Sequence, residues 1–184
     1  ITNSIFKGNT SDTDGGAVWI DASCSAELEN ILFMENIGNS SVFNAGTIRL
    51  TNATLVDNEY GLGMADSSYS HIQNSIFKNF GANLITLASA IIESGGGNIS
   101  SDATMITPLM GYGSFEDLHS TDPLLGPDFV PLNGSLCIDA GNPQGVKFPF
   151  DLAGNPRVQG GAIDIGSYES FLTSNHHAIS DNIR

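Results

Sequence analysis

The side chains best suited to acid–base chemistry are three carboxylates near one turn, Asp57, Glu59 and Asp66, followed by His71. A glycoside hydrolase needs two or three carboxylates in one groove. A polysaccharide lyase needs a base, for which His71 is a candidate, and a cation that neutralises the sugar carboxylate. The sequence therefore keeps a carbohydrate-active enzyme open as one hypothesis.

Two features of the sequence favour a non-catalytic role. Lys7 and Lys78 occupy the same position of a repeat, which fits an exposed strand position better than a unique site. The chain also lacks the pair of adjacent Asp residues that is typical of pectin hydrolases. We expect no resident cofactor, and we favour a binding or scaffolding protein over an enzyme.

A calcium site is the one metal site that the sequence suggests. Asp12 and Asp14 lie in an acidic, Gly-rich turn, and Ca²⁺ takes six to eight oxygen ligands. The two carboxylates could begin such a site, although the spacing of a known calcium loop is missing. A solvated turn is the simpler interpretation.

Composition and charge exclude some partners. The 184 residues carry a net charge of −14, which repels nucleic acid and also a polyanionic polysaccharide unless a cation or a local basic patch intervenes. No stretch approaches the roughly 20 apolar residues of a membrane-spanning helix. Cys24 and Cys137 fit no metal motif, and they are either one disulfide or two separate small apolar residues.

Internal repetition is the strongest structural signal. Four segments of similar sequence begin with an Asn, and these Asn residues are 27, 22 and 22 residues apart: Asn3, Asn30, Asn52 and Asn74. Each segment has apolar residues two apart and ends in a polar turn, which predicts a short strand rather than a helix. The chain begins inside a repeat, so we expect more chain upstream.

The repeats predict an all-β fold, a right-handed parallel β-helix of coils of about 22 residues. The coils span residues 1–107, a loop-rich C-terminal cap spans 108–170, and a linker or tail spans 171–184. Ile5, Leu32, Thr54 and Ile76 should stack in one column, and the residues that follow them in a second one. The sequence does not say which column is interior. We expect Asn30, Asn52 and Asn74 to stack as a structural ladder rather than as a ligand-binding stripe.

All seven prolines lie in residues 108–156, so this stretch should form loops that fold over the last coil. Its four ordered motifs are D-P-L-L at 122–125, S-L-C-I-D-A-G at 135–141, D-L-A-G-N-P-R at 151–157 and D-I-G-S-Y-E at 164–169. Residues 121–169 thereby resemble the end of the bacterial choice-of-anchor Q proteins, which carry pectin-lyase-like β-helix repeats. The resemblance implies export and a surface anchor, and it implies no reaction.

Acidic residues in the cap invite two interpretations. The acids are Asp139, Asp151, Asp164 and Glu169, and Arg157 could be clamped by one or two of these Asp residues, which would stabilise a loop-rich segment. The rival interpretation is a catalytic acid pair. We favour the structural one. His176 and His177, in the tail, could bind a metal, but an exposed linker is the simpler account.

Two functional hypotheses follow. The first is a secreted or cell-surface β-helix, an adhesin, stalk or carbohydrate-binding scaffold whose partner is an extracellular polysaccharide or another surface protein. The alternative is a polysaccharide lyase or glycoside hydrolase, or its C-terminal portion.

Overall fold

The computed structural model describes residues 1–106 and 116–173, and it consists of short parallel strands wound into a solenoid. The strands are β1 (Thr2–Lys7), β2 (Val18–Ile20), β3 (Ser25–Met34), β4 (Val42–Asn44), β5 (Thr47–Val56), β6 (Leu62–Met64), β7 (Tyr69–Gln73), β8 (Ile76–Lys78), β9 (Leu84–Thr86), β10 (Ile91–Gly96) and β11 (Ile99–Ser100). A single 3₁₀ turn, Thr104–Ile106, interrupts the β-structure of the described residues.

Two parallel sheets form the walls of the solenoid. The larger follows the order β1-β3-β5-β7-β10, with β8 and β11 continuing it beside β5, and the smaller follows β2-β4-β6-β9. Each coil contributes one strand to every layer, so each strand pairs with its equivalents in the coils above and below. The prediction of an all-β parallel solenoid, with about four coils some 22 residues apart, is confirmed. The right-handed sense stays a prediction.

The predicted columns exist in register. Ile5 pairs with Leu32, Leu32 with Thr54, and Thr54 with Ile76. The following residues form the adjacent column, and it is this second column that lies inside the solenoid: Phe6, Phe33, Leu55 and Phe77. Phe6 and Phe33 stack with ring centroids 5.0 Å apart. The interior column therefore consists of the larger aromatic and leucine side chains.

A bend at one Asn in each coil separates two faces of the large sheet. Asn30 has φ of 57° and Asn52 has φ of 50°, and both residues are skipped in the pairing of β3 with β5. Asn tolerates this left-handed conformation better than most residues other than Gly. The strand turns a corner there without breaking its hydrogen-bonded ladder, so residues on either side of the bend can both face inward.

Asn side chains also form ladders that run from coil to coil. At the bend, the Nδ2 of Asn30 donates to Asn3 Oδ1, and that of Asn74 donates to Asn52 Oδ1, each at 3.0 Å. A second, interior ladder lies at the next corner and consists of Asn9, Asn36, Asn58, Asn79 and Asn83. These amides saturate buried backbone groups that the corners leave unpaired.

The C-terminal segment does more than follow the last coil. Leu118 pairs with Ile99 and adds one rung beyond β11. The segment then runs along the flank of the solenoid, where two apolar clusters form between it and the outward-facing column. Cys137 and Ile165 pack on Ile76 and Ile99, and Leu152 and Tyr168 pack on the Leu32 cluster. These contacts support the solenoid laterally, and the cap over the last coil stays a prediction.

The interior ladder can be tested at Asn58, which is fully buried. Its Nδ2 donates to Phe33 O at 3.0 Å and to Asn79 Oδ1 at 2.8 Å, and its Oδ1 accepts from both nitrogens of Asn36. We expect Asn58→Ala to lower the free energy of unfolding by about 3 kcal/mol, because it strands several buried polar groups. Urea denaturation measures this change.

The matched control is Asn133→Ala, because Asn133 is exposed and its side chain forms no hydrogen bond within the described residues. It should shift the unfolding free energy by less than about 0.5 kcal/mol. Equal effects of the two substitutions would contradict a structural role for the ladder.

Candidate functional site

One column of charged and polar side chains crosses the outer face of the large sheet. Glu27, Arg49, His71 and Glu93 are register partners in four successive coils. Strand residues alternate between faces, so these side chains point away from the core while Leu28, Leu50 and Ile72 point into it. The stacking of equivalent coils places Arg49 directly beside His71.

Residues 142–148 of the C-terminal segment, here called the strap, cross this face and form a wall. The Nε2 of Gln73 donates to Asn142 O at 3.1 Å and to Gln144 O at 2.6 Å. Farther along, the backbone N–H of Lys147 donates to Glu29 Oε1 at 2.8 Å, and its Nζ lies 2.6 Å from Glu27 Oε2. The strap is thus fixed at both ends to the strands.

Between the strap and the strands lies a cleft of about 240 Å³, here called the His71 cleft. Its lining residues are Arg49, His71, Gln73, Gly95, Asn142, Gln144 and Gly145. A Cβ on Gly95 would come within 2.9 Å of His71 Nε2 and 2.7 Å of Gln73 Oε1. Glycine at position 95 therefore leaves room for these two side chains in the cleft.

His71 is the unusual residue of this cleft. Its side chain is buried, with the whole residue 8% exposed, and neither ring nitrogen forms a hydrogen bond. Burial lowers the pKa of His71, and the nearby Arg49 lowers it further, against the opposing effect of Glu93. A neutral imidazole has one N–H donor and one acceptor nitrogen, and here both nitrogens are buried, with the Glu93 carboxylate 3.7 Å from Nδ1.

Two of the three carboxylates that suggested a hydrolase share a groove, and the third lies elsewhere. Asp57 and Glu59 line a separate groove of about 480 Å³ together with Glu35 and the exposed ring of Phe80. Asp66 lies at another corner, where its Oδ1 accepts from the backbone N–H and hydroxyl of Ser89 in the next coil. His71 lines neither that groove nor that corner.

The Asp12–Asp14 turn is the place where the sequence suggested a calcium site. Asp12 is exposed and Asp14 is half-buried. Within residues 1–106 and 116–173, no group of three or more His, Cys, Asp or Glu side chains is placed to hold a metal ion. The His176–His177 pair lies outside the described residues.

The two cysteines are not bonded to each other. Cys24 is exposed, whereas Cys137 is buried in the contact between the C-terminal segment and the coils. Burial raises the pKa of the Cys137 thiol to about 12, so the thiol is protonated and unreactive. Of the two alternatives for this pair, the structure shows separate free thiols.

Arg157 holds the C-terminal segment to the coils. It is 3% exposed, and its Nη1 donates to Glu169 Oε1 and to Gly166 O, both at 2.9 Å. Its Nη2 donates to Asn30 Oδ1, in the bend ladder. The ion-pair partner of Arg157 is thus Glu169, where the sequence led us to expect one or two of the aspartates.

The aspartates accept backbone N–H groups instead. Asp139 accepts from Gly161 and Ala162, Asp151 from Asn155 and Glu169, and Asp164 from Asp139 and Ser170, at distances of 2.7 to 3.0 Å. Such bonds fix a loop-rich segment that has few strands of its own. This geometry is that of a structural cluster.

Comparison with known proteins adds no relationship. No family model, no curated protein and no solved structure matches this chain. The choice-of-anchor Q resemblance stays a prediction. In the described part of the chain, no helix is long and apolar enough to cross a membrane.

The buried cluster predicts a pH dependence of stability. Burial raises the pKa of Asp164 from 3.8 to about 6. The folded state therefore binds this proton more tightly than the unfolded state, and the stabilising contribution is complete below about pH 4 and lost as the pH rises through 6. We expect Asp164 to account for a fall of about 2–3 kcal/mol between pH 4 and pH 7.

Unfolding free energies at a series of pH values measure this fall. Burial also raises the pKa of Glu169 to about 8, so Glu169 adds a fall of its own over this range. Asp164→Asn should therefore reduce the slope between pH 4 and pH 7 without removing it, whatever its effect on absolute stability. The control Asp12→Asn, at an exposed turn, should keep the wild-type profile. An unchanged slope in Asp164→Asn would contradict the assignment.

Proposed function

We propose that this chain is a secreted or cell-surface β-solenoid module that binds an extracellular polysaccharide without turning it over. The His71 cleft is the proposed binding site. The observation that carries the proposal is the buried imidazole of His71 beside the cleft: neither nitrogen forms a hydrogen bond within the described residues, and the Glu93 carboxylate lies 3.7 Å from Nδ1. A buried polar group normally has a partner, and a ligand that displaces the side chains around His71 would supply one.

The chemistry of the cleft suits a sugar. Hydroxyl groups are donors and acceptors at once, and a neutral imidazole offers one group of each kind. Gln73 donates its amide N–H groups to the strap, and its carbonyl oxygen lies beside the imidazole of His71 at the wall of the cleft. The cleft is open along the stacked strands, so a chain of several sugars can extend beyond it.

The exposed location of the module is supported by its terminal motifs. Residues 121–169 resemble the end of exported, anchored proteins. A small fraction of charged residues, together with abundant Asn, Ser and Gly, is common in extracellular β-rich proteins. Both observations favour a stalk or adhesin that displays a binding face. The closed interior leaves the flanks of the solenoid as the surface available to a partner.

A polysaccharide lyase or hydrolase is the alternative, and one observation favours it. The Nδ1 of His71 lies 3.7 Å from Glu93 Oε1, and the hydroxyl of Tyr69 donates to the same carboxylate. A carboxylate beside an imidazole can orient it as a general base. The same experiment tests both functions.

The purified protein is titrated with neutral and acidic polysaccharides, with and without Ca²⁺, while unsaturated products and reducing ends are followed. We expect saturable binding without products. We expect His71→Asn to weaken binding about tenfold, since it removes hydrogen bonds to the ligand. His119→Asn is the matched control, because His119 is exposed on another part of the chain.

Absence of binding across the panel, with circular dichroism showing folded protein, would contradict the proposal. Accumulation of products that is lost in His71→Asn would replace the scaffold with the enzyme.

A further inference from the structure

We infer that the glycan bound in the His71 cleft carries a single carboxylate, that Arg49 recognises this carboxylate, and that the rest of the glycan is neutral. This inference rests on the proposed function and names the class of its ligand. It depends on the charges around the cleft, which select for one negative group and against many.

Arg49 is the unpaired cation of the described chain. Of the Lys and Arg side chains within residues 1–106 and 116–173, four have a carboxylate within 4.0 Å: Lys7, Lys78, Lys147 and Arg157. Arg49 has none, although the protein carries 20 acidic residues. In so acidic a protein, an arginine without a carboxylate partner beside an open cleft indicates a site for an external anion.

The neighbours of Arg49 explain why it is free. Its register partner Glu27 is bound instead by Lys147 of the strap, with 2.6 Å between Nζ and Oε2. The strap thereby removes the nearest internal competitor for the guanidinium. None of the residues that line the cleft is acidic, and the neighbouring carboxylates are Glu27 beside Arg49 and Glu93 beside His71.

Arg49 and His71 offer complementary donors to one sugar unit. A guanidinium binds a carboxylate through two parallel N–H groups. The adjacent neutral imidazole can then accept from or donate to a ring hydroxyl, and Gln73 supplies a carbonyl oxygen. Arg49 and His71 lie in adjacent coils about one strand spacing apart, and Gln73 lies two residues along the strand from His71.

The negative electrostatic field around the cleft disfavours a polyanionic glycan. The column that contains Arg49 ends in Glu27 on one side and Glu93 on the other, and the net charge of the protein is −14. Carboxylates on every sugar would lie within a Debye length of these acids, about 8–10 Å at moderate salt. One isolated carboxylate gains the contact with Arg49 and meets this repulsion once, whereas a polyanion meets it at every sugar.

The test uses three oligosaccharides of equal length in calorimetric titrations of the intact protein. One is a neutral tetrasaccharide with a terminal glucuronic acid, the second is its glucose-terminated counterpart, and the third is tetragalacturonate. We expect the singly acidic ligand to bind about tenfold more tightly than its neutral counterpart. Tetragalacturonate should bind more weakly than the singly acidic ligand.

Variants assign the preference to Arg49. Arg49→Gln should abolish the preference and leave the affinity for the glucose-terminated ligand unchanged, whereas Arg49→Lys should keep part of it. Lys78→Gln makes the same charge change at a lysine that pairs with Asp122, and it should leave the preference intact.

The outcomes separate this inference from the proposed function. Equal affinity for the acidic and neutral ligands, both weakened by His71→Asn, would overturn the role of Arg49 and leave the binding function standing. Tighter binding of tetragalacturonate would overturn the single-charge requirement. If none of the three ligands binds, and no polysaccharide of the earlier titration binds either, both this inference and the proposed function would be overturned.

Discussion

A stacked solenoid must turn several corners in every coil while its backbone stays buried, and each corner leaves amide and carbonyl groups without strand partners. Asn side chains meet this constraint here in two different ways. At the bend, Asn30 and its equivalents adopt the left-handed conformation that lets β3 turn without losing register. At the next corner, the Asn36–Asn58 pair and its neighbours bond the chain above to the chain below. The coil spacing follows from the repeated placement of these residues.

The bend also determines where the C-terminal segment attaches. Because it rotates the strand, one apolar column points inward and the adjacent column points to the flank, where Leu32 and Ile76 would contact water. The C-terminal segment covers that column, and Arg157 reaches through it to Asn30 of the bend ladder. A buried cation is costly unless its donors are satisfied, and Glu169, Gly166 and Asn30 satisfy most of them. The coils and the segment are therefore one packing unit.

The sequence determines the repeated part of this structure well and the unrepeated part poorly. The period of 22 residues and the alternation of apolar side chains predict the coils, their pairing and the columns. They can do so because every coil turns the same corners and pairs its backbone groups there in the same way. The bend at Asn52 was not predicted, since a left-handed residue inside a strand leaves no mark beyond its residue type. The path of the segment after Leu118 was not predicted either, because its contacts are non-local.

The candidate site lies where these two parts meet. Arg49 and His71 are 22 residues apart, so the repeat alone places them in one column, and sequence reasoning that followed the period on the polar face would have found the pair. It would not have found Gln144 or Gly145, whose position depends on bonds between Gln73 and the strap. A repeat by itself presents the same surface in each coil. The strap breaks that symmetry because it crosses the column at one position. There Lys147 of the strap forms an ion pair with Glu27, the register partner of Arg49, so one coil differs from its neighbours. Specific recognition on a repetitive scaffold requires such a local difference, and within the described chain the His71 cleft combines it with unpaired polar groups.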